Sequence, residues 1–337
     1  MICFNRGSII NIVGGSGFIG TRLCRRLVKS KIPGFSIIDK APSKSFSDNV
    51  KIADVRSVKA LRESVSHGAI IVHLAAEHRD DVQPLSLYDE VNVGGAKNIC
   101  TVAREKGVKT IVFTSTVAVY GFAPIGTDES GKIAPFNDYG RTKYEAEQVF
   151  KSWQAENSNE RTLVIVRPTV VFGEQNRGNV YNLLRQIASG RFVMVGHGNN
   201  RKSMAYVENV VAFIEYAISF KPGVHIYNFI DKPDVTMNTL VATVNRILGK
   251  SEKIGFRLPY WIGYIIGKCF DFIAVSTGKR FSISSIRVKK FCANSVYNTA
   301  IDKTGFVSPV PLDQAIEKTV SYEFIESHEH EGVFFTE

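Results

Sequence analysis

The sequence predicts an α/β protein in which a doubly wound parallel sheet carries a smaller C-terminal lobe. Short apolar, β-branched runs alternate with segments of helical periodicity through the first half of the chain. These runs are apolar on both faces, which indicates strands covered by helices on both sides. After about residue 170 the alternation loosens into Gly- and Asn-rich loops. We therefore expect a Rossmann domain over residues 1–170, with later segments crossing back to it, and a mainly substrate-binding lobe over residues 171–337.

Six strands and four helices can be placed in the first domain. The predicted strands are Ile9–Val13, Ser36–Asp39, Val50–Ala53, Ala69–Leu74, Thr110–Thr114 and Thr162–Arg167. The predicted helices lie near Gly17–Lys29, Val58–Ser66, Leu87–Lys106 and Tyr139–Asn157. Helices between the strands favour parallel pairing, because parallel neighbours need a long crossover connection.

Composition narrows the class of protein. The five cysteines are scattered and no CxxC pair occurs, so neither a disulfide framework nor a metal site is predicted. No apolar run is long enough to indicate a membrane span, and the start of the chain lacks the features of a signal peptide. We expect a protein of the reducing cytoplasm.

The net charge of +10 suits nucleic acid, an anionic membrane surface or anionic small molecules, and also plain solvated Lys and Arg. No nucleic-acid-binding motif occurs, so we expect no nucleic-acid partner. The most basic region, residues 250–290, surrounds the apolar segment Leu258–Val275, which Lys268 and Asp271 interrupt. We expect a core helix of the small lobe there, and peripheral contact with anionic lipid is the alternative.

A dinucleotide site is predicted where the first strand meets the first helix. Three glycines, Gly14, Gly17 and Gly20, lie between an apolar strand and the start of a helix. Phe18 and Ile19, in the first turn of that helix, are also predicted to bind the cofactor. The glycines let the backbone approach a pyrophosphate at the helix N terminus. A glycine triplet alone also suits an ordinary strand–turn–helix, so its position directly after a strand is what favours a cofactor.

Two acidic residues follow the next two strands. Asp39 ends the second strand, where a carboxylate accepts hydrogen bonds from the adenosine ribose and repels a 2′-phosphate, so NAD is favoured over NADP. Lys40 beside it weakens that preference. Asp54 and Val55 follow the third strand, where Asp54 either meets the adenine amino group or is a plain loop residue.

Tyr139 and Lys143 form a Tyr-x-x-x-Lys pair at the start of a predicted helix. Residues four apart share a helix face, so we expect the Lys ammonium to lower the pKa of the phenol and make it a general acid/base. Thr114 and Thr116 place hydroxyls at the end of a strand, where open α/β sheets bind ligands. His73, which ends another buried strand, is expected to be a hydrogen-bonded core histidine.

Five segments occur in an order typical of one family, namely VGGSGFIG, HLAAE, VNVGGAKN, TSTVAVYG and YGRTK. Together they resemble the extended short-chain dehydrogenases/reductases, in the branch of NAD-dependent sugar epimerases and dehydratases. The resemblance covers nearly the whole chain and implies that Thr116, Tyr139 and Lys143 are catalytic and that the protein is a homodimer. The NAD contacts that it implies outside the glycine loop include Leu74, Ala75, Ala76, Asn92, Thr114, Tyr139, Lys143 and Pro168.

Positions at which this sequence differs from the motifs of the family branch exclude some of the branch's reactions. Sugar 4,6-dehydratases carry an Asp-Glu pair after the catalytic Thr and decarboxylating relatives keep the Glu, whereas Val117 and Ala118 stand here. Without these carboxylates, elimination lacks its acid and base. Cys100 lies too far upstream to match the Cys of epimerase/reductases of the GDP-fucose type. Oxidation or reduction at one carbinol, or both in turn as epimerisation, remain open.

The second half resembles the substrate segments of UDP-sugar epimerases. The substrate contacts that this implies are Thr116, Arg177, Asn179, Val180, Val193, Val195, Arg201 and Lys202. Arg177 and the helix N terminus beside it suit phosphate. Asn294 and Ser295, small residues near the place of a bulky gatekeeper, favour an N-acetylhexosamine. Val170 stands where many UDP-galactose 4-epimerases have an Asn, and this form also occurs in relatives acting on sterols.

The leading hypothesis is an NAD-dependent 4-epimerase of a UDP-hexose or UDP-N-acetylhexosamine that works through a 4-keto intermediate. The alternative is a one-way oxidoreductase, either a 4-ketosugar reductase or a dehydrogenase of the 3β-hydroxysteroid type. A non-catalytic NAD-binding scaffold is disfavoured, because binding alone does not require a Tyr/Lys pair.

Overall fold

The computed structural model describes residues 9–32, 34–79, 82–277, 284–328 and 332–336. Its strands are β1 Ile10–Val13, β2 Phe35–Asp39, β3 Val50–Ile52, β4 Ile70–His73, β5 Thr110–Thr114, β6 Thr162–Pro168, β7 Val170–Phe172, β8 Met194–Val195, β9 Arg201–Tyr206, β10 Gly223–Phe229, β11 Asp231–Thr236 and β12 Arg257–Leu258. Its α-helices are α1 Phe18–Lys29, α2 Val58–Ser64, α3 Ser86–Tyr88, α4 Gly95–Glu105, α5 Asp138–Ala155, α6 Asn179–Ala188, α7 Val207–Ala217, α8 Met237–Ile247, α9 Tyr260–Thr277, α10 Ser285–Cys292 and α11 Leu312–Phe324.

Seven strands form one parallel sheet in the order β10–β6–β5–β4–β1–β2–β3. Every residue of β1 and β6 is buried, because helices cover both faces. The strand order reverses between β1 and β4, which is the switch point where sheets of this kind bind ligands. The doubly wound parallel sheet is confirmed, and the six predicted strands match β1–β6 to within one residue at either end.

The predicted helix Leu87–Lys106 is interrupted. The chain passes from α3 through a π-helical turn, Asp89–Gly94, into α4. Hydrophobic periodicity does not reveal such a turn, since it adds a single residue to the helical repeat. Turns of this type often lie at functional sites, and this one contains Asn92.

The second half adds a three-stranded sheet, ordered β11–β9–β7, and the parallel pair of β8 with β12. By contrast, β10 pairs with β6 at the edge of the main sheet. Phe213 on α7 lies beneath this edge, with its ring 5.7 Å from that of Phe229 and 5.2 Å from that of Phe306. The domain division near residue 170 stays a prediction. None of the helices in the described residues has the length and apolar character needed to cross a membrane.

Candidate active site

The glycine loop lies at the switch point, directly against the segment that follows β4. Gly14 has a φ of +80°, and a Cβ there would lie 2.4 Å from the backbone nitrogen of Ala75. A Cβ on Gly20 would lie 2.4 Å from the Cα of Gly15, so this turn closes only without side chains. Gly17 caps α1 with no side-chain hydrogen bond, which leaves the N–H groups of the first turn facing outward for a phosphate.

Asp39 is oriented toward the same loop. Its Oδ2 accepts a hydrogen bond from the Ser16 N–H at 3.0 Å, and its Oδ1 accepts one from the Ala41 N–H at 3.0 Å. These bonds fix the carboxylate beside the glycine loop, where the ribose of a dinucleotide needs an acceptor.

Asp54 and Val55 lie just after β3. The Arg56 guanidinium binds the Asp54 carboxylate at 2.7 Å and lowers its pKa. Val55 packs close to α4, where a Cβ on Gly95 would lie 3.0 Å from its side chain. Contact of Asp54 with adenine stays a prediction.

The other predicted cofactor residues also end at this edge of the sheet. Leu74, Ala75 and Ala76 follow β4, Thr114 ends β5 and Pro168 ends β6. The Thr114 hydroxyl is buried and has no hydrogen-bond partner among the described residues, as expected for a group that a ligand would satisfy. A dinucleotide fits this edge of the sheet, where it would meet the glycine loop, the Asp39 carboxylate and the Thr114 hydroxyl.

Asn92 joins the loop after β4 to the catalytic helix. Its Oδ1 accepts from the Glu77 N–H at 2.8 Å, and its Nδ2 donates to the Glu77 carbonyl at 3.0 Å and to the Thr142 hydroxyl at 2.9 Å. Asn92 therefore holds this loop against α5 through hydrogen bonds. Its direct contact with NAD stays a prediction. Asp80 and Asp81 of the same charged loop lie outside the described residues.

Helix α5 approaches the end of β5 closely because Gly140 has no side chain. A Cβ there would lie 2.6 Å from the Ala118 carbonyl oxygen. Asn137 caps the helix, with its Oδ1 accepting from the Gly140 N–H at 3.0 Å. This packing brings Tyr139, in the first turn, to the Thr116 hydroxyl.

The structure separates the roles of two neighbouring hydroxyls. Ser115 donates to Glu147 Oε1 at 2.5 Å, beneath the site. Thr116 Oγ1 accepts from the Ala118 N–H at 3.1 Å, so the Thr116 proton stays available toward Tyr139 or a substrate. This geometry supports Thr116 rather than Ser115 as the catalytic hydroxyl.

The expected lowering of the Tyr139 pKa is wrong for this structure. Burial raises the pKa of Tyr139 to about 12, and the Thr116 hydroxyl only opposes that shift. The Lys143 ammonium lies 4.2 Å from the centre of the Phe113 ring. Burial lowers the pKa of Lys143 to about 7, against the pull of Glu147. Burial disfavours both charged forms, so a shared helix face does not by itself activate the phenol.

A buried ion pair that the sequence pattern does not predict supports the site from below. Glu147 and Arg167 are 0% and 3% exposed and share two hydrogen bonds, of 2.6 and 2.8 Å. Arg167 also donates to the Tyr120 hydroxyl at 2.6 Å, and that hydroxyl donates to Asn228 Oδ1 at 2.8 Å. The sequence signal for this pair is that Glu147 follows Lys143 by four residues, which places both side chains on the buried face of α5.

His73 is in the core as expected, but it is not hydrogen-bonded. Neither ring nitrogen has a partner among the described residues, and the rings of Phe113 and Phe150, which also contact each other, lie 5.6 Å from the His73 ring. Burial, with Lys143 as a smaller cause, lowers the pKa of His73 to about 3. The ring is therefore neutral and acts as an apolar spacer.

In the second half, the structure does not bring Arg177 to a phosphate site. Its guanidinium pairs with Glu323, which is 1% exposed on α11, and lies 4.1 Å from the centre of the Tyr181 ring. Asn179 is exposed at the start of α6, while Val180 is buried. These contacts favour a structural role for Arg177 over the predicted phosphate role.

The C-terminal segment 332–336 also lies at the site, which the polar tail gave no reason to expect. The Phe334 ring lies 5.9 Å from that of Phe18 on α1. Thr336 donates to Asn176 Oδ1 at 2.7 Å, and its carbonyl lies 3.1 Å from His78 Nε2. This segment thereby joins the loop after β4 to the loop before α6.

Lys202 and Arg201 lie together on β9, beside α10. The Lys202 ammonium donates to the Lys290 carbonyl at 2.8 Å, and burial lowers its pKa to about 8. Arg201 is exposed, and its N–H donates to Asn294 Oδ1 at 2.7 Å. Ser295 forms a bridge with Lys202, so the predicted diphosphate and gatekeeper residues are brought together.

The strand that resembles a uracil-reading segment already has partners. The N–H groups of Met194 and Gly196 donate to carbonyls of residues 256 and 258, at 3.1 and 2.8 Å. The Val195 carbonyl accepts from the Cys292 thiol at 3.4 Å, and Val193 is exposed. The N–H groups that are taken belong to Met194 and Gly196, so the reading of a base by Val193 and Val195 stays a prediction.

Comparison with known proteins adds four findings. A profile of the NAD dependent epimerase/dehydratase family matches residues 10–229. The N-acetyl-alpha-D-glucosaminyl-diphospho-ditrans,octacis-undecaprenol 4-epimerase of Escherichia coli O157:H7 is 46% identical over 330 residues, 97% of this chain and 98% of that protein. UDP-glucose 4-epimerase of Vibrio cholerae is 29% identical over 273 residues, 77% and 82% of the two chains. The structure of a UDP-glucose 4-epimerase from Thermotoga maritima with UDP-glucose has a TM-score of 0.73 at 20% identity, covering 93% and 98%, and supports the fold.

Proposed function

Because the chain belongs to the NAD dependent epimerase/dehydratase family, we propose that it is a 4-epimerase of an N-acetylhexosamine joined through a diphosphate to a polyprenol. The predicted family, the NAD cofactor and the enzyme class are confirmed. One structural observation carries the reaction type. The Thr116 hydroxyl contacts Tyr139 at the sheet edge, Lys143 is buried one turn further along the same helix, and the two places after Thr116 hold Val117 and Ala118 rather than acids.

The residues act on the sugar hydroxyl at C4. Tyr139 takes the proton from O4 as C4 is oxidised and returns it when the resulting ketone is reduced. Thr116 donates a hydrogen bond to the same oxygen, since its own acceptor role toward the Ala118 N–H leaves its proton free. Lys143 holds the nicotinamide ribose and, when charged, favours the phenolate of Tyr139. NAD, when bound, supplies the acceptor and the donor of the hydride.

The absence of acids beside Thr116 separates this reaction from elimination. Val117 and Ala118 belong to the turn against which Gly140 packs, so no carboxylate reaches C5 or the leaving hydroxyl from there. After oxidation, the 4-keto sugar turns and accepts the hydride on its other face, which inverts C4. No net cofactor is consumed.

The substrate class rests mainly on the E. coli relative, with support from the partly paired β8 strand. That relative acts on a sugar diphosphate attached to undecaprenol. In the present chain β12 pairs with one edge of this strand and the Cys292 thiol at the end of α10 donates to the Val195 carbonyl, which leaves fewer backbone groups for a nucleobase. Lys202 contacts α10, which also contacts Val195, and we assign Lys202 and Arg201 to the diphosphate.

A UDP-hexose or UDP-N-acetylhexosamine, as the sequence predicted, is the second candidate. It is favoured by the Vibrio cholerae relative, a UDP-glucose 4-epimerase. Both candidates share the sugar diphosphate and the chemistry at C4, and they differ only in what lies beyond the second phosphate.

The test is incubation of the purified protein, without added cofactor, with GlcNAc-diphospho-undecaprenol, UDP-GlcNAc and UDP-glucose. The sugar is then released by acid and its C4 configuration is determined. We expect N-acetylgalactosamine from the polyprenyl substrate, at a higher kcat/KM than from UDP-GlcNAc. No C4 epimer from any substrate would refute the proposed function. In a parallel assay with added NAD, net conversion of NAD to NADH would indicate a one-way dehydrogenase.

Three further properties belong to this proposal. A homodimer is implied by the family resemblance, and a cytoplasmic location follows from the scattered cysteines. Contact of residues 250–290 with a membrane surface would bring the enzyme to a polyprenyl substrate.

A further inference from the structure

Helix α9 does not pack its large apolar side chains in the core. Its inner face is made by glycines, since a Cβ on Gly267 would lie 2.7 Å from the backbone of Ser285 on α10. A Cβ on Gly263 would lie 2.7 Å from the Val195 side chain on β8. The helix expected over Leu258–Val275 is present, but its placement in the core is wrong, because small residues make the close contacts and several large side chains are exposed.

The outward side of α9 carries Trp261, Ile265 and Phe272, which are 64%, 54% and 73% exposed. Their spacing of four and seven residues places them on one face of the helix. Eight of the 21 exposed large apolar residues in the described part of the chain fall within residues 256–286, so they form a patch rather than a scatter. We call these eight residues the α9 surface, namely Phe256, Tyr260, Trp261, Ile265, Ile266, Phe272, Ile273 and Ile286.

Positive charge is concentrated around the α9 surface. Residues 250–290 contain nine Lys or Arg and two acidic residues, which accounts for seven of the ten net positive charges of the chain. One of the two acids, Asp271, accepts from the Ser285 hydroxyl at 2.5 Å and so faces α10. Lys268 is exposed on the helix, whereas Lys279 and Arg280 lie outside the described residues.

Helix α10, which packs against α9, reaches the mouth of the candidate site. The Lys290 carbonyl accepts from Lys202, and the Lys290 ammonium lies 4.9 Å from the centre of the Phe136 ring. Phe136 stacks on Phe122 at 4.9 Å and precedes Tyr139 by three residues. The α9–α10 hairpin therefore spans the distance between the diphosphate residues and the catalytic helix.

We propose that the α9 surface docks this protein on an anionic phospholipid bilayer, with Trp261, Ile265 and Phe272 at the acyl-chain boundary and Lys268 among the headgroups. Exposed aromatic and aliphatic residues beside clustered Lys and Arg are what an anionic interface binds. A second copy is a poorer occupant, because two such strongly positive surfaces would repel each other. The docking stands on this surface alone, and its use in reaching a polyprenyl-linked sugar rests on the proposed function.

Binding to vesicles tests the surface directly. The full chain should sediment with vesicles of phosphatidylcholine and phosphatidylglycerol, and much less with phosphatidylcholine alone. The triple variant Trp261→Ser/Ile265→Ser/Phe272→Ser should bind the anionic vesicles at least about tenfold more weakly. The matched control is Val28→Ser/Ile52→Ser/Val307→Ser, whose residues are 57%, 62% and 82% exposed elsewhere, and it should bind as the wild type does. Equal binding by the two triple variants would overturn the proposal.

Tryptophan emission gives a second, site-specific readout. The chain has two tryptophans, and Trp153 is fully buried, so only Trp261 can meet lipid. Vesicles with brominated acyl chains should quench the wild-type emission, whereas Trp261→Phe should leave an unquenched signal from Trp153. Quenching that persists in Trp261→Phe, or is absent in the vesicle-bound wild type, would contradict the assigned face.

Two controls separate docking from the proposed function and from self-association. A water-soluble GlcNAc diphosphate with a short prenyl chain should be epimerised equally by the wild type and the α9 triple variant, while vesicle binding differs. If the wild type epimerises none of the substrates, the proposed function is refuted. The vesicle-binding result does not depend on that outcome. A triple variant that turns a dimer into a monomer, with no vesicle binding by the wild type, would make this face a dimer interface and refute the docking.

Discussion

The two halves of the molecule differ in what their predicted site residues do. In the cofactor half, Gly14, Asp39 and Thr116 lie along one sheet edge, where their positions after strands place them. In the substrate half, Arg177 is paired with Glu323 and the Lys202 ammonium is bound to backbone carbonyls. A role that depends on where the backbone places a residue can therefore be predicted from the local sequence. The partner of a long side chain cannot, because it depends on segments far away in the chain.

The cofactor half should show the largest effect of a single substitution. Tyr139→Phe removes only the phenolic oxygen, so folding and NAD binding should be kept while turnover falls about a hundredfold to ten-thousandfold. Steady-state kinetics and NAD content measure this. Tyr144→Phe, on the same helix, is the matched control and should be active. Thr116→Ala should cost less than Tyr139→Phe, and wild-type turnover in Tyr139→Phe would exclude the mechanism.

The buried pair beneath the site should give the largest effect on stability. Glu147→Gln leaves Arg167 charged and 3% exposed, with only part of its hydrogen bonding, which should cost about 3–5 kcal/mol in the free energy of unfolding. Urea unfolding measures the loss. Glu156→Gln breaks pairs with Arg104 and Arg161 that water screens, so its cost should be a small fraction of this. Equal costs would show that burial does not distinguish the two pairs.

The sequence predicted what depends on strand order and on glycine. The six strands, the turn at Gly14 and the Tyr/Lys helix follow from periodicity and spacing over short stretches. It did not predict the Glu147–Arg167 pair, the neutral His73 or the tail contact of Phe334, because each joins segments far apart in the chain. Nor does hydropathy reveal that an apolar helix packs through its glycines.

Burial of Lys143 in the cofactor half makes the stability of the protein depend on pH. Its pKa falls from 10.5 to about 7 on folding, because burial disfavours the ammonium. Between these values the unfolded chain binds a proton that the folded chain does not, so this contribution to stability rises with pH across that window and is lowest below about pH 7.

Lys143→Met removes this dependence. The NAD-free variant should be more stable than the wild type at about pH 6, by a margin that shrinks toward about pH 10, and it should have little activity. Urea unfolding across this range measures the margin, and Lys97→Met, at an exposed position, is the control. A margin that grows with pH would contradict the account of Lys143.

The substrate half should show a smaller effect, on stability rather than on substrate binding. Arg177→Gln leaves Glu323 buried without its ion pair and should cost roughly 1–3 kcal/mol, while KM changes little. Arg185→Gln on the same helix is the control for loss of a charge. A large rise in KM with unchanged stability would restore Arg177 as a phosphate ligand.

The central claim is that one carbon of the sugar is oxidised and then reduced within one active site. The most direct measurement uses GlcNAc-diphospho-undecaprenol with deuterium at C4, in ordinary water and without added cofactor. The account predicts an N-acetylgalactosamine product that keeps its deuterium at C4, with no NADH released. A product that has lost the label to solvent would contradict it, because the hydride would then not have returned to the carbon it left.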